Sequence, residues 1–229
     1  SGLVGAGRTE LALALFGIDR IHSGEVYVDG KKVDIHSPAD AIRAKIALVP
    51  EDRKGQGLFL GHSIATNLTF QVLNEFIQRL RVDKKKENGL VDTYKQKLSI
   101  RMESVDQLAG ELSGGNQQKI VISKWLAARP EVLILDEPTS GLDPNQISGV
   151  RKLIGELGQS KTVLLSTHIM QEVTALCERV IIIDRGRIVA DERADALEKS
   201  SGEQQMLIEV MFDRQPDTER LQALPGIAQ

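Results

Sequence analysis

Two carboxylates stand at the end of an apolar run, Leu133-Ile134-Leu135-Asp136-Glu137. A strand of this kind delivers both acids to its carboxyl end, the edge at which open α/β sheets bind ligands. There Asp136 can hold Mg2+, usually through water, and Glu137 can orient or activate a water against a γ-phosphate. Taken alone, a strand ending in two solvated acids explains the pair as well. About 20 residues earlier comes Leu112-Ser113-Gly114-Gly115-Asn116-Gln117-Gln118-Lys119. A serine and two glycines opening a helix turn unpaired N–H groups and the positive dipole end toward an anion, and the glycines let a phosphate approach the backbone. An ordinary serine cap would explain Ser113 but not the glycine pair. At the start of the chain, Gly2-Leu3-Val4-Gly5-Ala6-Gly7-Arg8-Thr9 has the spacing of a phosphate-cradling loop, with Arg8 where a lysine is expected. Arginine is bulkier and forked, whereas lysine is a compact point charge, so the backbone of Gly2, Gly5 and Gly7 can cradle phosphate better than Arg8 can serve catalysis. Thr9 keeps a hydroxyl suited to Mg2+. A Gly-rich turn before a helix remains the plainer alternative for this loop.

The elements needed to position these groups follow from hydrophobic period and punctuation. Residues 9–16 continue the glycine loop as an apolar helix; 25–29 and 32–35 alternate like strands and join at Gly30 as a hairpin. Ser37-Pro38 starts a short helix, and 46–49 is a compact apolar strand ending at Pro50. The stretch 63–112 is polar and mixed, with Lys84–Lys86 and helical spacing near Tyr94. From Glu111 the pattern sharpens into helix 114–128, strand 132–135, helix 146–157, strand 162–166, helix 169–177 and strand 180–183, with 187–190 pairing back across Arg185-Gly186. Strand and helix alternating at this spacing predict a doubly wound α/β sheet, and a fully apolar strand such as 132–135 belongs inside a parallel one.

Composition agrees with a globular chain: 229 residues, 41% hydrophobic, 27% charged and a net charge of −3, which argues against a nucleic-acid footprint. The lone Cys177 excludes an intramolecular disulfide and agrees with a reducing compartment. No apolar run approaches the roughly 20 residues that span a bilayer, so a membrane role is expected to be peripheral. His22, His36 and His62 have no metal-ligand spacing and are expected to be structural or exposed.

A Ser-Gly-Gly helix start shortly ahead of an Asp-Glu-tipped strand resembles the ABC ATPase family, in which a signature motif precedes the Walker B strand. The resemblance implies an α/β P-loop NTPase core with a parallel sheet and an inserted helical signature subdomain, ATP and Mg2+ as ligands, and a head-to-tail dimer with a second ABC ATPase domain beneath a transmembrane permease. It places Glu137 as the base or water-orienting group, Asp136 and Thr9 at Mg2+, and Gly2, Gly5, Gly7, Arg8, Ser113, Gly114, Gly115 and Gln117 on nucleotide. Ser166-Thr167-His168 ends another apolar strand and resembles the switch region, with His168 on the γ-phosphate; a lone histidine is otherwise a surface or packing residue. Pro50-Glu51-Asp52-Arg53-Lys54 falls where the family carries a glutamine that senses Mg2+ and the permease. Here Glu51 adds a charge while remaining able to bind a cation. Ser140-Gly141-Leu142-Asp143 resembles the D-loop, which crosses the dimer interface.

Two branches of the family share the chain. Residues 1–139 resemble the second ATPase half of ribose- and galactose-type sugar importers, in which two halves lie in one polypeptide and the second has the altered P-loop. Residues 140–229 are closer to exporter and gliding-motility-type ATPases, with 207–212 and a later Leu-Pro-Gly resembling the start of their C-terminal extension. Together these imply a hybrid with its seam at 136–143, or divergence within one branch. The expected organisation is an ATPase core at 1–62 and 130–205, a helical signature subdomain at 63–129, and an extension at 206–229. P-loops follow a central strand and only Ser1 precedes Gly2, so the N-terminal strands are expected to be missing, with weak ATP binding and marginal stability. The expected function is the ATP-binding and hydrolysing subunit of an ABC transporter, importing sugar from the cytoplasmic face of the cell membrane. The alternatives are an exporter ATPase, or a catalytically poor half that supplies its signature in trans. A soluble ABC ATPase of DNA repair or translation would need a coiled-coil insertion or tandem domains, and neither is visible.

Overall fold

The computed structural model describes residues 7–78 and 81–196. Gly2 and Gly5 of the glycine loop and the predicted extension at 206–229 lie outside the described residues. The first helix, α1 (Arg8–Leu15), springs directly from Gly7, whose φ of 91° is open to glycine at little cost. Next come β1 (Val26–Val28) and β2 (Lys31–Val33), an antiparallel hairpin turned by Asp29 and Gly30, both at positive φ as a two-residue turn requires. Helix α2 (Pro38–Arg43) has Pro38 in its first turn and the Ser37 hydroxyl accepting from the Asp40 N–H. It leads into β3 (Ile46–Val49), whose four residues are all buried.

The middle of the chain is mainly helical. A tight helical turn at Arg53–Gly57 is capped by the Asp52 carboxylate, and α3 (Ile64–Thr69) by the Ser63 hydroxyl. A 3-10 turn at Phe70–Glu75 follows, then the short β4 (Ile77–Gln78) and β5 (Arg81–Val82). Helix α4 (Lys84–Lys97) starts on the Asp83 carboxylate, which accepts from the N–H groups of Lys85 and Lys86. That cap gives the basic stretch a local role in starting a helix. Helix α5 (Gly114–Ala127) buries most of its length, from Gly115 through Ala127. Its Trp125 ring meets Phe16, just past α1, edge-on at 5.3 Å.

The last part alternates strand and helix as expected: β6 (Val132–Asp136), α6 (Pro144–Gly158), β7 (Thr162–Ser166), α7 (Met170–Leu176) and β8 (Arg179–Asp184). A seven-residue strand, β9 (Arg187–Arg193), pairs back onto β8 across Arg185 and Gly186, again at positive φ. The site-bearing sheet has the order β3-β6-β7, all parallel. Apolar runs without alternation suit strands covered on both faces, and one hydrophobic cluster includes Leu48, Leu133 and Leu135 of the sheet together with Ile64, Leu68 and Ile120 of the helices. No helix among the described residues is long and apolar enough to cross a membrane.

Register decides what meets at the carboxyl edge. Val49 is level with Leu135, and Leu135 with Leu165; Asp136 is level with Ser166. One row further out therefore come Glu51, Glu137 and Thr167, and then His168. The sheet alone assembles acids and histidine that are far apart in sequence.

Candidate functional site

Glu137 is the centre of the edge. It leaves β6 with φ 43°, an uncommon conformation for a residue with a side chain. The neighbouring chain holds it there: its N–H donates to the Ser166 carbonyl at 2.9 Å, and its own carbonyl accepts from the Ser140 N–H at 3.0 Å. The side chain is only 7% exposed; His168 Nδ1 lies 2.9 Å from Oε2, and Arg8 Nη1 lies 3.1 Å from Oε1 as an ion pair without hydrogen-bond geometry. The arginine that stands for a lysine thus spends its charge on the candidate base. His168 itself is half exposed and can turn toward a ligand.

Asp136 points a different way. Thr9, Glu51 and Asp136 line one cavity of about 370 Å³, together with Pro50, Arg53 and Ser140. Asp136 is 3% exposed, and its Oδ1 has no hydrogen-bond partner among the described residues. A buried carboxylate oxygen without a donor is costly unless something cationic or protic meets it. Two carboxylates and a hydroxyl fit Mg2+, which keeps several waters and takes few protein ligands beside substrate phosphates. All three residues named from sequence as metal ligands thus line this cavity; no group of three or more His, Cys, Asp or Glu placed to hold a metal occurs among the described residues.

The start of α5 lies beside Arg53, Leu142 and Gln146. Ser113 is exposed and leaves its helix uncapped, its hydroxyl accepting from Asn116 Nδ2 at 3.1 Å. Gly114 and Gly115 are closely approached by side chains: a Cβ on Gly114 would stand 2.9 Å from Arg53 Nη2, and one on Gly115 would stand 3.0 Å from Gln146. Gln117 is buried, with Nε2 donating to the Ala109 carbonyl at 3.2 Å, so the structure sets it in the interior beside the helix start.

Three groups that sequence reasoning did not single out hold these pieces in place. Arg53 donates to the Ser140 carbonyl at 2.8 Å and to the Gly141 carbonyl at 3.4 Å, tying the cavity to the loop after β6. Gln146 accepts from the Gly115 N–H at 2.7 Å. Glu172, wholly buried, accepts from Thr139 Oγ1 at 2.6 Å, Thr167 Oγ1 at 2.7 Å and Arg151 Nε at 3.3 Å. Its two threonines stand just after Glu137 and just before His168, so one carboxylate fixes the spacing of the pair. No local signal marks Glu172, because its partner Thr139 is 33 residues away.

The family described as ABC transporter matches residues 1–140. A ribose import ATP-binding protein of Roseobacter denitrificans is 43% identical over 197 residues, covering 86% of this chain and 39% of its own length. The likeness thus extends beyond residue 140. The chain spans about two fifths of the length of the curated relatives it matches. Among solved structures, cbiO1 of Clostridium perfringens, part of the ABC transporter complex cbiONQ, matches with a TM-score of 0.72 at 25% identity, over 87% of this chain and 78% of that one. A dimeric, post-hydrolysis ATP-binding cassette bound to ADP and Pi matches with a TM-score of 0.69 at 21% identity, over 84% and 83%, a likeness of fold.

Proposed function

This chain belongs to the ABC transporter family, and on that premise we propose that it is an ATP-binding subunit powering sugar import through a membrane permease, working head-to-tail with a second ATPase domain at the cytoplasmic face of the cell membrane. The observation that carries the reading is the meeting of Thr9, Glu51 and Asp136 in one cavity, at the sheet edge that also holds Glu137 and His168. The name of the ribose-import relative supports the substrate class.

In this reading Thr9, Asp136 and Glu51 hold Mg2+ on the nucleotide, where the ion neutralises phosphate charge. Gly7 meets phosphate through its backbone, Glu137 orients water, and His168 turns from Glu137 to the γ-phosphate. Ser113, Gly114 and Gly115 face nucleotide held by the partner domain. ATP then joins the two domains and hydrolysis releases them, because only the closed pair completes both half-sites. The test is ATP turnover by the chain mixed with a P-loop-intact ATPase domain, reconstituted with a ribose permease. Stimulated turnover that disappears with Ser113→Glu is expected; turnover indifferent to this chain would reject the proposal.

The Arg8 contact favours a second reading, in which this chain's own site turns over poorly and its main service is the helix start given in trans. With Arg8 and His168 on its two oxygens, Glu137 has little freedom to take a proton from water. Arg8→Lys separates the two: a rise in turnover at this chain's site supports the idle reading, and a fall supports an active one.

A further inference from the structure

The Gly115 N–H, in the first turn of α5, is already taken. It donates to Gln146 Oε1 at 2.7 Å, and the Gln146 stem packs where a Cβ on Gly115 would stand. A helix start leaves four N–H groups without partners inside the helix, and these are the groups that receive phosphate. Ser113 caps none of them. A neutral oxygen on a flexible side chain therefore occupies the position a phosphate oxygen would occupy.

Gln146 is not loosely placed. Its own N–H donates to Asp143 Oδ1 at 2.9 Å at the start of α6. The same loop begins at Glu137, whose carbonyl accepts from the Ser140 N–H. Arg53 grips it at Ser140 and Gly141, and Arg53 also lines the cavity that holds Thr9, Glu51 and Asp136. A shift of residues 137–143 at this chain's own site would move the amide oxygen that sits on Gly115.

We propose that Gln146 is an internal stand-in for phosphate: it holds the Gly115 N–H until a triphosphate on a second ATPase domain displaces it, so that residues 137–146, the loop after β6 and the first turn of α6, set how readily the α5 start receives nucleotide. The inference rests on the reading that this helix start serves nucleotide in trans. A hydrogen bond to a phosphate oxygen is about twice as strong as one to a neutral amide. The exchange therefore runs forward, and the amide bond that must be given up weakens association by about two- to tenfold.

The test uses the full 229-residue chain and, as probe, a Mg·ATP-loaded ATPase domain with a lysine P-loop and its catalytic glutamate changed to glutamine. Gln146→Met keeps the length and packing but has no comparable acceptor; Gln146→Glu offers a charged one. The proposal expects Gln146→Met to bind the probe about two- to tenfold more tightly and Gln146→Glu to bind it more weakly by at least a similar factor. In nuclear magnetic resonance spectra of the chain alone, the Gly115 amide proton should move upfield and exchange faster in Gln146→Met. If that amide moves while affinity stays level or falls, Gln146 is only a brace and the proposal is overturned; it is overturned equally if the amide does not move. Failure of the underlying reading looks different: wild type, Gln146→Met and Ser113→Glu would all behave alike toward the probe, rejecting the trans role and the stand-in together.

Discussion

Removing Glu172 should be among the most damaging single changes available outside the apolar core. The carboxylate is wholly buried and accepts from two hydroxyls that are themselves nearly inaccessible, Thr139 at 2% and Thr167 at 1% exposure. Arg151, its third partner, is 26% exposed and can turn toward water when the charge is lost, so it adds little to the cost. In Glu172→Ala each stranded hydroxyl costs about 1 kcal/mol at the low end of the range for unsatisfied buried groups. The space left behind adds about 1–2 kcal/mol more. The sum, about 3–4 kcal/mol, matches what is found when one partner of a buried ion pair is deleted. It is a large share of a typical domain's 5–15 kcal/mol, roughly stated. Glu172→Gln keeps the shape and one acceptor, and its cost should be about 1–2 kcal/mol. Urea unfolding followed through Trp125, the chain's single and buried tryptophan, measures both, with the slope against urea unchanged if only stability has moved. A cycle pairing Glu172→Ala with Thr139→Val should show coupling of about 1 kcal/mol or more. Glu172→Ala costing less than about 1 kcal/mol, or strict additivity with Thr139→Val, would refute the network.

Three further outcomes follow from other contacts. Burial pushes the Lys124 ammonium down to about 8 from its ordinary 10.5, with Nζ donating to the Gly57 carbonyl at 2.5 Å. Below pH 8 both folded and unfolded chains hold this proton; between 8 and 10.5 the unfolded chain holds more, so stability rises with pH by up to about 3 kcal/mol. Urea curves from pH 7 to 10 should show that rise in wild type and lack it in Lys124→Met; parallel curves would contradict it. Gly17 has φ 76°, and a Cβ there would lie 2.6 Å from the Ser37 carbonyl carbon and oxygen, so Gly17→Ala should cost at least about 2 kcal/mol of stability by the same assay. Asp136→Asn should weaken ATP binding about tenfold in Mg2+, equivalent to about 1.4 kcal/mol, and hardly at all in excess chelator; equal losses in both would separate Asp136 from the ion.

The fold was legible wherever one residue's environment is set by its near neighbours in sequence. Residues 46–49 and 132–135 contain no polar residue, which only a strand covered on both faces accommodates, and they pair in parallel. Asp29-Gly30 and Arg185-Gly186 announced their hairpins through backbone freedom alone. The site was legible as an edge: strands ending in Asp136-Glu137 and Thr167-His168 must deliver those groups to one side when they pair in parallel. What Arg8 does was not legible. Its type suggested a weakened phosphate site, whereas its contact with Glu137 depends on the separate placement of α1 and β6. Gln146 was hidden for the same reason, since its partner Gly115 lies 31 residues away on another helix. Glu172 sits in the run Met170–Leu176, five residues after Thr167, and nothing nearby marks its other partner, Thr139, 33 residues away.

The distribution of these long-range contacts bears on how the two proposed half-sites on one chain would influence each other. Ser140 lies within reach of Glu51, its hydroxyl 3.4 Å from Oε1, and it is held by Arg53 from the cavity side. Six residues further on, Gln146 holds the Gly115 N–H at the start of α5. On the proposed reading both half-sites bear on residues 137–146, the loop after β6 and the first turn of α6, and a ligand at either can alter the other only by the difference in those few contacts between two positions of that segment. Coupling between binding sites is reciprocal. If nucleotide in the cavity loosens Gln146 from Gly115, a partner's nucleotide at Gly115 must tighten binding in the cavity by the same factor. With one or two neutral hydrogen bonds at stake, that factor is about 2- to 100-fold. A measured coupling far above it would require residues beyond 137–146 to move as well.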